Sequence, residues 1–162
     1  MELTIQNLSK TYPNGVQALK NVSLHIPTGM FGLLGPNGAG KSTLMRIIAT
    51  LQDADTGSAF LGEVDVLSEK EEIRKLLGYL PQEFGVYPKV SAEAMLDHLA
   101  VLKGVADPGE RKALVDALLQ RVNLWDDRKK ALSGYSGGMK QRFGIAQALI
   151  GEPRLLIVDE PT

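Results

Sequence analysis

The chain has 162 residues, the size of a single domain, and this length excludes large multidomain enzymes and long repeat arrays. Its 18 Lys and Arg residues nearly balance 19 Asp and Glu residues, so the net charge of −1 indicates no global attraction to nucleic acid or to an anionic membrane. The absence of cysteine excludes disulfide bridges and thiolate zinc sites. No segment approaches the roughly 18 consecutive apolar residues that a membrane-spanning helix needs, and the polar start Met1–Lys10 does not resemble a signal peptide.

The first third of the chain predicts strands that lead into a glycine-rich loop. Residues 2–8 and 22–26 alternate apolar and polar side chains, which predicts two half-buried antiparallel strands. Tyr12–Gly15 has the composition of the turn between them. The apolar run Met30–Leu34 is closed by glycine, which favours a buried parallel strand.

After the loop the pattern changes to that of a helix. Leu44, Ile48 and Leu51 fall on one helical face. Two further strands are predicted, over 57–64 and 76–80.

The second half of the chain predicts a helical insert. Apolar residues recur at helical spacing between Ser91 and Leu102, at Met95, Leu99 and Leu102. The segment Asp107–Glu110 is typical of a helix start, because Asp107 is suited to the N-cap, proline to the first helical position and Glu110 to a capping box.

Two more helical stripes and one strand complete the pattern. The helix that starts at Asp107 should be apolar on one face, with Leu114, Leu118 and Val122, and charged on the other. A further helix after Ser136 should have an apolar face formed by Met139, Phe143, Ala146 and Ile150. The segment Arg154–Val158 should be a strongly apolar strand.

A phosphate-binding motif lies between the predicted strand and helix. Gly35–Ser42 fits G-x-x-x-x-G-K-[ST], in which glycines let successive backbone N–H groups surround an anion at the positive end of a helix. Lys41 would reach the β and γ phosphates, and the Ser42 hydroxyl would bind magnesium. The alternative is an ordinary glycine turn between a strand and a helix.

An acidic pair ends the last predicted strand. A phosphate loop needs a second magnesium ligand, and Asp159 is placed to supply it directly or through water. Glu160, the next residue, could polarise the attacking water. The alternative is a strand that ends in two solvated acids.

With a third motif, Ser136–Arg142, the sequence resembles the ATP-binding cassette (ABC) ATPases along its whole length, 1–162. This segment, SGGMKQR, is similar to the signature of that family and comes shortly before the acidic strand. The resemblance implies an α/β P-loop NTPase fold with an antiparallel β subdomain and a helical subdomain. It implies a core formed by 1–82 and 151–162, and a helical subdomain with the signature helix over 83–150.

The resemblance also implies a role for the signature residues Ser136, Gly137 and Gly138. In this family they bind the γ phosphate of ATP held by a second cassette in a head-to-tail dimer. Free N–H groups at a Ser-capped helix start suit that role. The family usually has Leu and Gln where this chain has Tyr135 and Met139, a departure that leaves Ser-Gly-Gly intact.

Two further positions match the family. Tyr12 corresponds to the aromatic residue that stacks on adenine, with a turn tyrosine packed on the sheet as the alternative. Gln82 corresponds to a glutamine that touches magnesium and the attacking water. Segment 83–90, with Phe84, Val86 and Tyr87, corresponds to the surface where a transmembrane subunit docks. The resemblance thus implies three sets of site residues. The catalytic residues would be Lys41, Gln82 and Glu160, and the Mg²⁺ ligands would be Ser42, Gln82 and Asp159. The ATP-binding residues would be Tyr12, Gly35, Pro36, Asn37, Gly38, Ala39, Gly40, Lys41, Ser42 and Thr43.

ABC cassettes generally continue beyond the acidic strand, so the resemblance leads us to expect that this chain is part of a longer cassette. The family's next elements include a strand between the phosphate-loop strand and the acidic strand, with a histidine that contacts the γ phosphate. Neither His25 nor His98 matches that residue, and both are interpreted as structural. Without the intervening strand, we expect its two neighbours to have unpaired backbone groups.

The function implied by the resemblance is that of the ATP-hydrolysing subunit of an ABC transporter, with ATP and Mg²⁺ as cofactors. Its partners would be a second cassette and a transmembrane permease on the cytoplasmic face of the membrane, and no nucleic acid is expected. The signature resembles exporter cassettes more than importer ones. Two alternatives stay open: a soluble ABC-type ATPase that acts on ribosomes or DNA, and a nucleotide-binding fragment that does not hydrolyse.

Overall fold

A computed structural model describes residues 1–81 and 89–159 of the chain. The chain forms two compact units, Met1–Arg74 and Lys75–Thr162, and each is described by itself. Within the described residues, no helix has the length and apolar character needed to cross a bilayer. The division into 1–82 with 151–162 and 83–150 stays a prediction.

The first unit contains a four-stranded antiparallel sheet. Its strands lie in the order β2-β1-β3-β4. Their bounds are Leu3–Thr11 for β1, Gln17–Ile26 for β2, Thr56–Leu61 for β3 and Val64–Asp65 for β4.

The sheet follows from the alternating sequence. Leu3, Ile5 and Leu8 of β1 are buried, and Ala59 and Leu61 of β3 join them in the core. Leu3 pairs with Ile26 of β2 on one side and with Leu61 on the other. The predicted antiparallel hairpin is therefore present, and the strand predicted over 57–64 forms as β3 and β4.

The helix after the glycine loop, α1, spans Lys41–Ile48. Leu44 and Ile48 are buried as predicted, but Leu51 is not on the helix and its side chain is exposed. The helix ends because Thr50 adopts a left-handed conformation, with φ of 61°. That conformation is unfavourable for a non-glycine residue in an α-helix and turns the chain away.

The run Met30–Leu34 is not the buried parallel strand that the sequence predicts. It belongs to no strand in the described part of the chain, and Leu34 is 93% exposed. A buried strand needs neighbours on both sides for its backbone groups. The described strands of the first unit pair with one another and none of them pairs with this run.

The first unit ends within a short helix that the sequence patterns did not reveal, α2, Lys70–Leu76. Its first turn has Glu71 and Glu72, which suits the positive end of a helix. Ile73 is its fully buried residue, and seven residues are too few to show a periodic pattern.

The second unit combines a parallel strand pair with helices. Strand β5, Leu77–Leu80, pairs in parallel with β6, Leu155–Val158, so that Leu77 lies opposite Leu155 and Leu80 opposite Val158. The helices are α3, Ala92–Leu102, α4, Pro108–Arg121, and α5, Gly137–Ala148, with a 3-10 turn at Leu132–Gly134.

The three helices enclose one apolar cluster. Phe143 of α5, Leu96 of α3 and Leu119 of α4 are almost completely buried in it. The predicted residues Met95, Leu118, Val122, Ala146 and Ile150 belong to the cluster, and Leu99, Leu114 and Met139 pack against it. Leu102 is an exception, since it lies at the end of α3 and is exposed.

Asp107 caps α4 as the sequence predicts, and Ser91, which no sequence pattern identified as a cap, caps α3 in the same way. Asp107 accepts a hydrogen bond from the N–H of Glu110 at 2.8 Å, and proline fills the first position of α4. Ser91 accepts one from the N–H of Ala94 at the start of α3. These bonds satisfy donors that a helix cannot pair internally.

Candidate functional site: a phosphate-binding loop

The loop before α1 has the backbone conformation that its glycines predict. Gly38 and Gly40 adopt left-handed φ angles of 83° and 86°. A Cβ atom at Gly40 would lie 2.3 Å from the carbonyl oxygen of Ala18, so no other residue fits there. The loop therefore reaches the first turn of α1 by a path that only glycine permits.

Lys41, the first residue of α1, folds back over this loop. Its Nζ donates hydrogen bonds to the carbonyl oxygens of Gly35 and Pro36, at 2.6 and 2.9 Å. Residues 35–39 are exposed to solvent. A positive charge is thus held at a solvent-accessible glycine loop.

The start of α1 has the electrostatics of an anion site. Its N-cap, Gly40, provides no side-chain cap, and its first turn contains no acidic residue. The N–H groups at a helix start have no partners within the helix and carry partial positive charge. Together with Lys41 they form a donor set that fits the phosphates of a nucleotide. Ser42, the residue after Lys41, has the hydroxyl that Mg²⁺ accepts as a ligand.

Tyr12 lies against the same helix. Its hydroxyl donates to Oε1 of Gln52 at 3.3 Å and lies 3.0 Å from Oγ1 of Thr43, in the first turn of α1. The hydrogen bond with Thr43 lowers the pKa of Tyr12 below its ordinary value of 10.0. The side chain is half-buried, so part of the ring remains accessible beside the phosphate loop.

Asp159 lies in the second unit, directly after β6. Its side chain is buried, and its N–H donates to the carbonyl oxygen of Leu80 at 2.9 Å, which extends the parallel pairing by one residue. In the described ranges, no three His, Cys, Asp or Glu side chains gather as a metal site. Magnesium at nucleotides commonly has one or two protein ligands beside water and phosphate. A single strand-end carboxylate therefore fits a magnesium ligand.

The signature segment lies at the start of α5. Ser136 is the N-cap and accepts a hydrogen bond from the N–H of Met139 at 3.3 Å. Gly137 and Gly138 are exposed, and a Cβ atom at either would meet nothing within 4 Å. Tyr135 is buried and donates its hydroxyl proton to the carbonyl oxygen of Asp127 at 2.9 Å. The unusual tyrosine is thus part of the helical core and leaves Ser-Gly-Gly on the surface.

The structure brings some of the predicted residues together. Tyr12, the loop and Thr43 lie in the first unit and meet at α1. Asp159 and the signature residues lie in the second unit. Gln82 and Glu160, and Phe84, Val86 and Tyr87 of the predicted docking segment, lie outside the described residues.

Sequence analysis missed Gln52 and Asp55. Both lie in the segment Leu51–Asp55 that follows α1 and faces the end of β1. Asp55 accepts hydrogen bonds from Lys10 Nζ at 2.8 Å and from the N–H of Thr11 at 2.6 Å. No motif includes these residues, and their partners are about 40 positions away in the chain.

The two histidines have surroundings that suit structural residues. Nδ1 of His25 lies 3.3 Å from Oγ1 of Thr4 on the neighbouring strand. His98 lies on the exposed side of α3. Neither lies next to the glycine loop in sequence.

The glycine loop, its lysine and the helix that follows are the features of a P-loop protein with α and β elements. The model of the family described as ABC transporter matches residues 19–162. The match covers most of the chain, so the chain belongs to the ABC transporter family. The resemblance found in the sequence is confirmed.

Curated relatives show the same membership. The ABC transporter ATP-binding protein YxlF of Bacillus subtilis is 40% identical, over 98% of this chain and 52% of its own length. The phosphonates import ATP-binding protein PhnC 1 of Rhodopseudomonas palustris is 38% identical, over 99% of this chain and 63% of its own length. The chain therefore spans about half to two thirds of the length of these relatives.

A solved structure confirms the fold class. The ATP-binding cassette MJ0796, in a dimeric post-hydrolysis state bound to ADP and Pi, matches with a TM-score of 0.86 and 30% identity. The match covers 99% of this chain and 74% of that chain. The fold is an α/β P-loop fold of the ABC ATPase type, with antiparallel and helical parts as predicted.

Proposed function

We propose that this chain is the nucleotide-binding part of an ABC transporter ATPase subunit and that it binds MgATP at residues 35–43. The observation that carries the proposal is the position of Lys41, whose amine lies over a glycine loop at the start of α1. The relatives named ATP-binding proteins and the cassette bound to ADP support ATP as the ligand.

Lys41 would exchange its partners when nucleotide binds. Its amine now donates to two neutral carbonyl oxygens, and hydrogen bonds to phosphate oxygens are stronger because both partners are charged. The N–H groups of the first turn of α1 would bind the same phosphates. The same groups would stabilise negative charge on the phosphoryl group as it is transferred.

Magnesium and water would be held by residues that the family resemblance identifies. Ser42, Gln82 and Asp159 are the proposed magnesium ligands, and Glu160 is the proposed base for the attacking water. A carboxylate that polarises water contributes to hydrolysis but not to phosphate affinity. Turnover, as distinct from binding, is thus proposed to depend on Glu160.

The partners follow from the same membership. We propose that Ser136, Gly137 and Gly138 contact the nucleotide of a second cassette, since they are exposed at a capped helix start. The similarity to a dimeric cassette supports this arrangement. A transmembrane permease on the cytoplasmic face of the membrane would be the coupled partner, and the exporter type stays a prediction from the signature segment.

Calorimetry with MgATP tests the proposal. We expect saturable binding that weakens at least tenfold in Lys41→Ala, because a hydrogen bond from a charged group contributes about 1.5–3 kcal/mol and about 1.4 kcal/mol is tenfold in affinity. Lys20→Ala, which removes an exposed lysine of β2, is the matched control and should bind as the unchanged chain does. Equal affinity in the two variants would contradict the proposed site.

A further inference from the structure

The hydroxyl of Tyr12 forms hydrogen bonds with two side chains, those of Gln52 and Thr43. Its proton is directed to Oε1 of Gln52, at 3.3 Å, so the hydroxyl of Thr43 is the donor in the 3.0 Å contact with the tyrosine oxygen. Thr43 is buried in the first turn of α1. The tip of the tyrosine is therefore fixed to the helix that follows the phosphate loop.

The backbone that carries Tyr12 is held by the same segment that supplies Gln52. Asp55 accepts a hydrogen bond from the N–H of Thr11, the residue before Tyr12, at 2.6 Å. Its own N–H donates to the carbonyl oxygen of Ser9 at 2.9 Å. Tyr12 itself closes a turn, since its N–H donates to the carbonyl oxygen of Val16 at 2.8 Å. Both ends of the residue are thus fixed.

We propose that Gln52 is a positioning residue for nucleotide selection, which holds the ring of Tyr12 in place to stack on the base of the bound nucleotide. This inference rests on the proposed function. A ring that is fixed before binding loses less conformational freedom when the base stacks on it, and the saving appears as affinity. Fixing the ring should therefore raise the affinity only for ligands that have a base. Tripolyphosphate has no base to stack on the ring, so its affinity should not depend on the ring's position.

The ratio of two affinities tests the role of Gln52. Calorimetry measures binding of MgATP and of magnesium tripolyphosphate to the unchanged chain, to Gln52→Leu and to Tyr12→Phe, which keeps the ring and removes its hydroxyl. We expect each variant to lose about three- to tenfold in affinity for MgATP, the size of one neutral hydrogen bond, with tripolyphosphate affinity unchanged. The double variant should lose no more than Tyr12→Phe alone, because removing the tyrosine hydroxyl already removes its bond to Gln52. Gln6→Leu, at an exposed glutamine of β1, is the control and should keep both affinities.

Each other outcome decides against the inference. If Gln52→Leu keeps the full preference for MgATP, or loses both affinities equally, Gln52 does not act through the base. A thermal melt monitored by circular dichroism shows whether Gln52→Leu loses both affinities because it unfolds. If it does unfold, the ratio of the MgATP and tripolyphosphate affinities of Tyr12→Phe tests the inference instead. If the unchanged chain binds neither ligand, the proposed nucleotide site is wrong and this inference is wrong with it.

Discussion

The amine of Lys41 lies 2.6 Å from the carbonyl oxygen of Gly35, so the lysine is hydrogen-bonded to its own loop. The loop contains one backbone hydrogen bond, from the N–H of Ala39 to the carbonyl oxygen of Pro36, at 3.2 Å. Removing the lysine bonds should loosen this turn. We expect the Ala39 amide to exchange hydrogen faster in Lys41→Ala, by NMR or mass spectrometry. Unchanged exchange would show that the lysine does not order the loop.

Gly57→Ala should destabilise the first unit. Gly57 has a φ of 100°, and a Cβ atom there would lie 2.5 Å from the carbonyl oxygen of Asn7. Backbone strain and this overlap should lower the free energy of unfolding by more than about 1 kcal/mol in urea titrations. Gly32→Ala, where a Cβ meets nothing within 4 Å, is the matched control. Similar losses in both variants would contradict this explanation.

Asp55 should make stability depend on pH. Its hydrogen bond from Lys10, and then that from the Thr11 N–H, hold the pKa of Asp55 below its ordinary value of 3.8. A carboxyl group with a lowered pKa stabilises the folded state above the unfolded-state value, and this contribution is lost as the pH falls through the folded-state pKa.

The difference in urea midpoint between the unchanged chain and Asp55→Asn should therefore be largest near neutral pH. It should shrink as the pH falls below 3.8. Glu63→Gln, at an exposed position, should show no comparable trend. A difference for Asp55→Asn that is constant with pH would contradict the role of the charged carboxylate.

Ser136→Ala should remove the cap of α5. The hydroxyl accepts from the N–H of Met139, and loss of such a cap costs about 1 kcal/mol. Thermal unfolding of the second unit should show this loss, whereas Ser133→Ala, at an exposed serine of the 3-10 turn, should change stability little. Equal stability of Ser136→Ala and the unchanged chain would show that the cap is not needed.

Phe143→Ala should have the largest effect on the helical cluster. The ring is 1% exposed, and truncation leaves a cavity among residues of three helices. We expect a loss of about 3–5 kcal/mol in the free energy of unfolding, measured in urea. Leu102→Ala, at an exposed leucine of α3, is the control. A small effect at Phe143 would mean that the cluster repacks around the gap.

Local sequence signals predicted much of the fold. The hairpin of β1 and β2 follows from alternation, and the caps Asp107 and Ser136 follow from the residue types at helix starts. The left-handed glycines of the phosphate loop follow from its motif. The caps and the glycine conformations depend on residues within a few positions of one another, and the hairpin joins two strands that are neighbours in the chain, so local sequence patterns are enough to predict these features.

Features that depend on distant parts of the chain could not be predicted in the same way. The run Met30–Leu34 has the composition of a buried strand, but a strand forms only with partners, and composition does not say whether partners exist. Gln52 meets Tyr12 across 40 positions, and a lone glutamine has no periodic signal. Gln82 and Glu160 stay predictions.

The exposed run Met30–Leu34 also has a consequence for handling the protein. A segment outside any strand that exposes apolar side chains to water can associate with the same segment of another molecule. Dilute samples should therefore stay monodisperse longer than concentrated ones, and light scattering should rise with protein concentration. Replacing Leu34 by lysine should delay that rise, because a charge on such a segment discourages self-association.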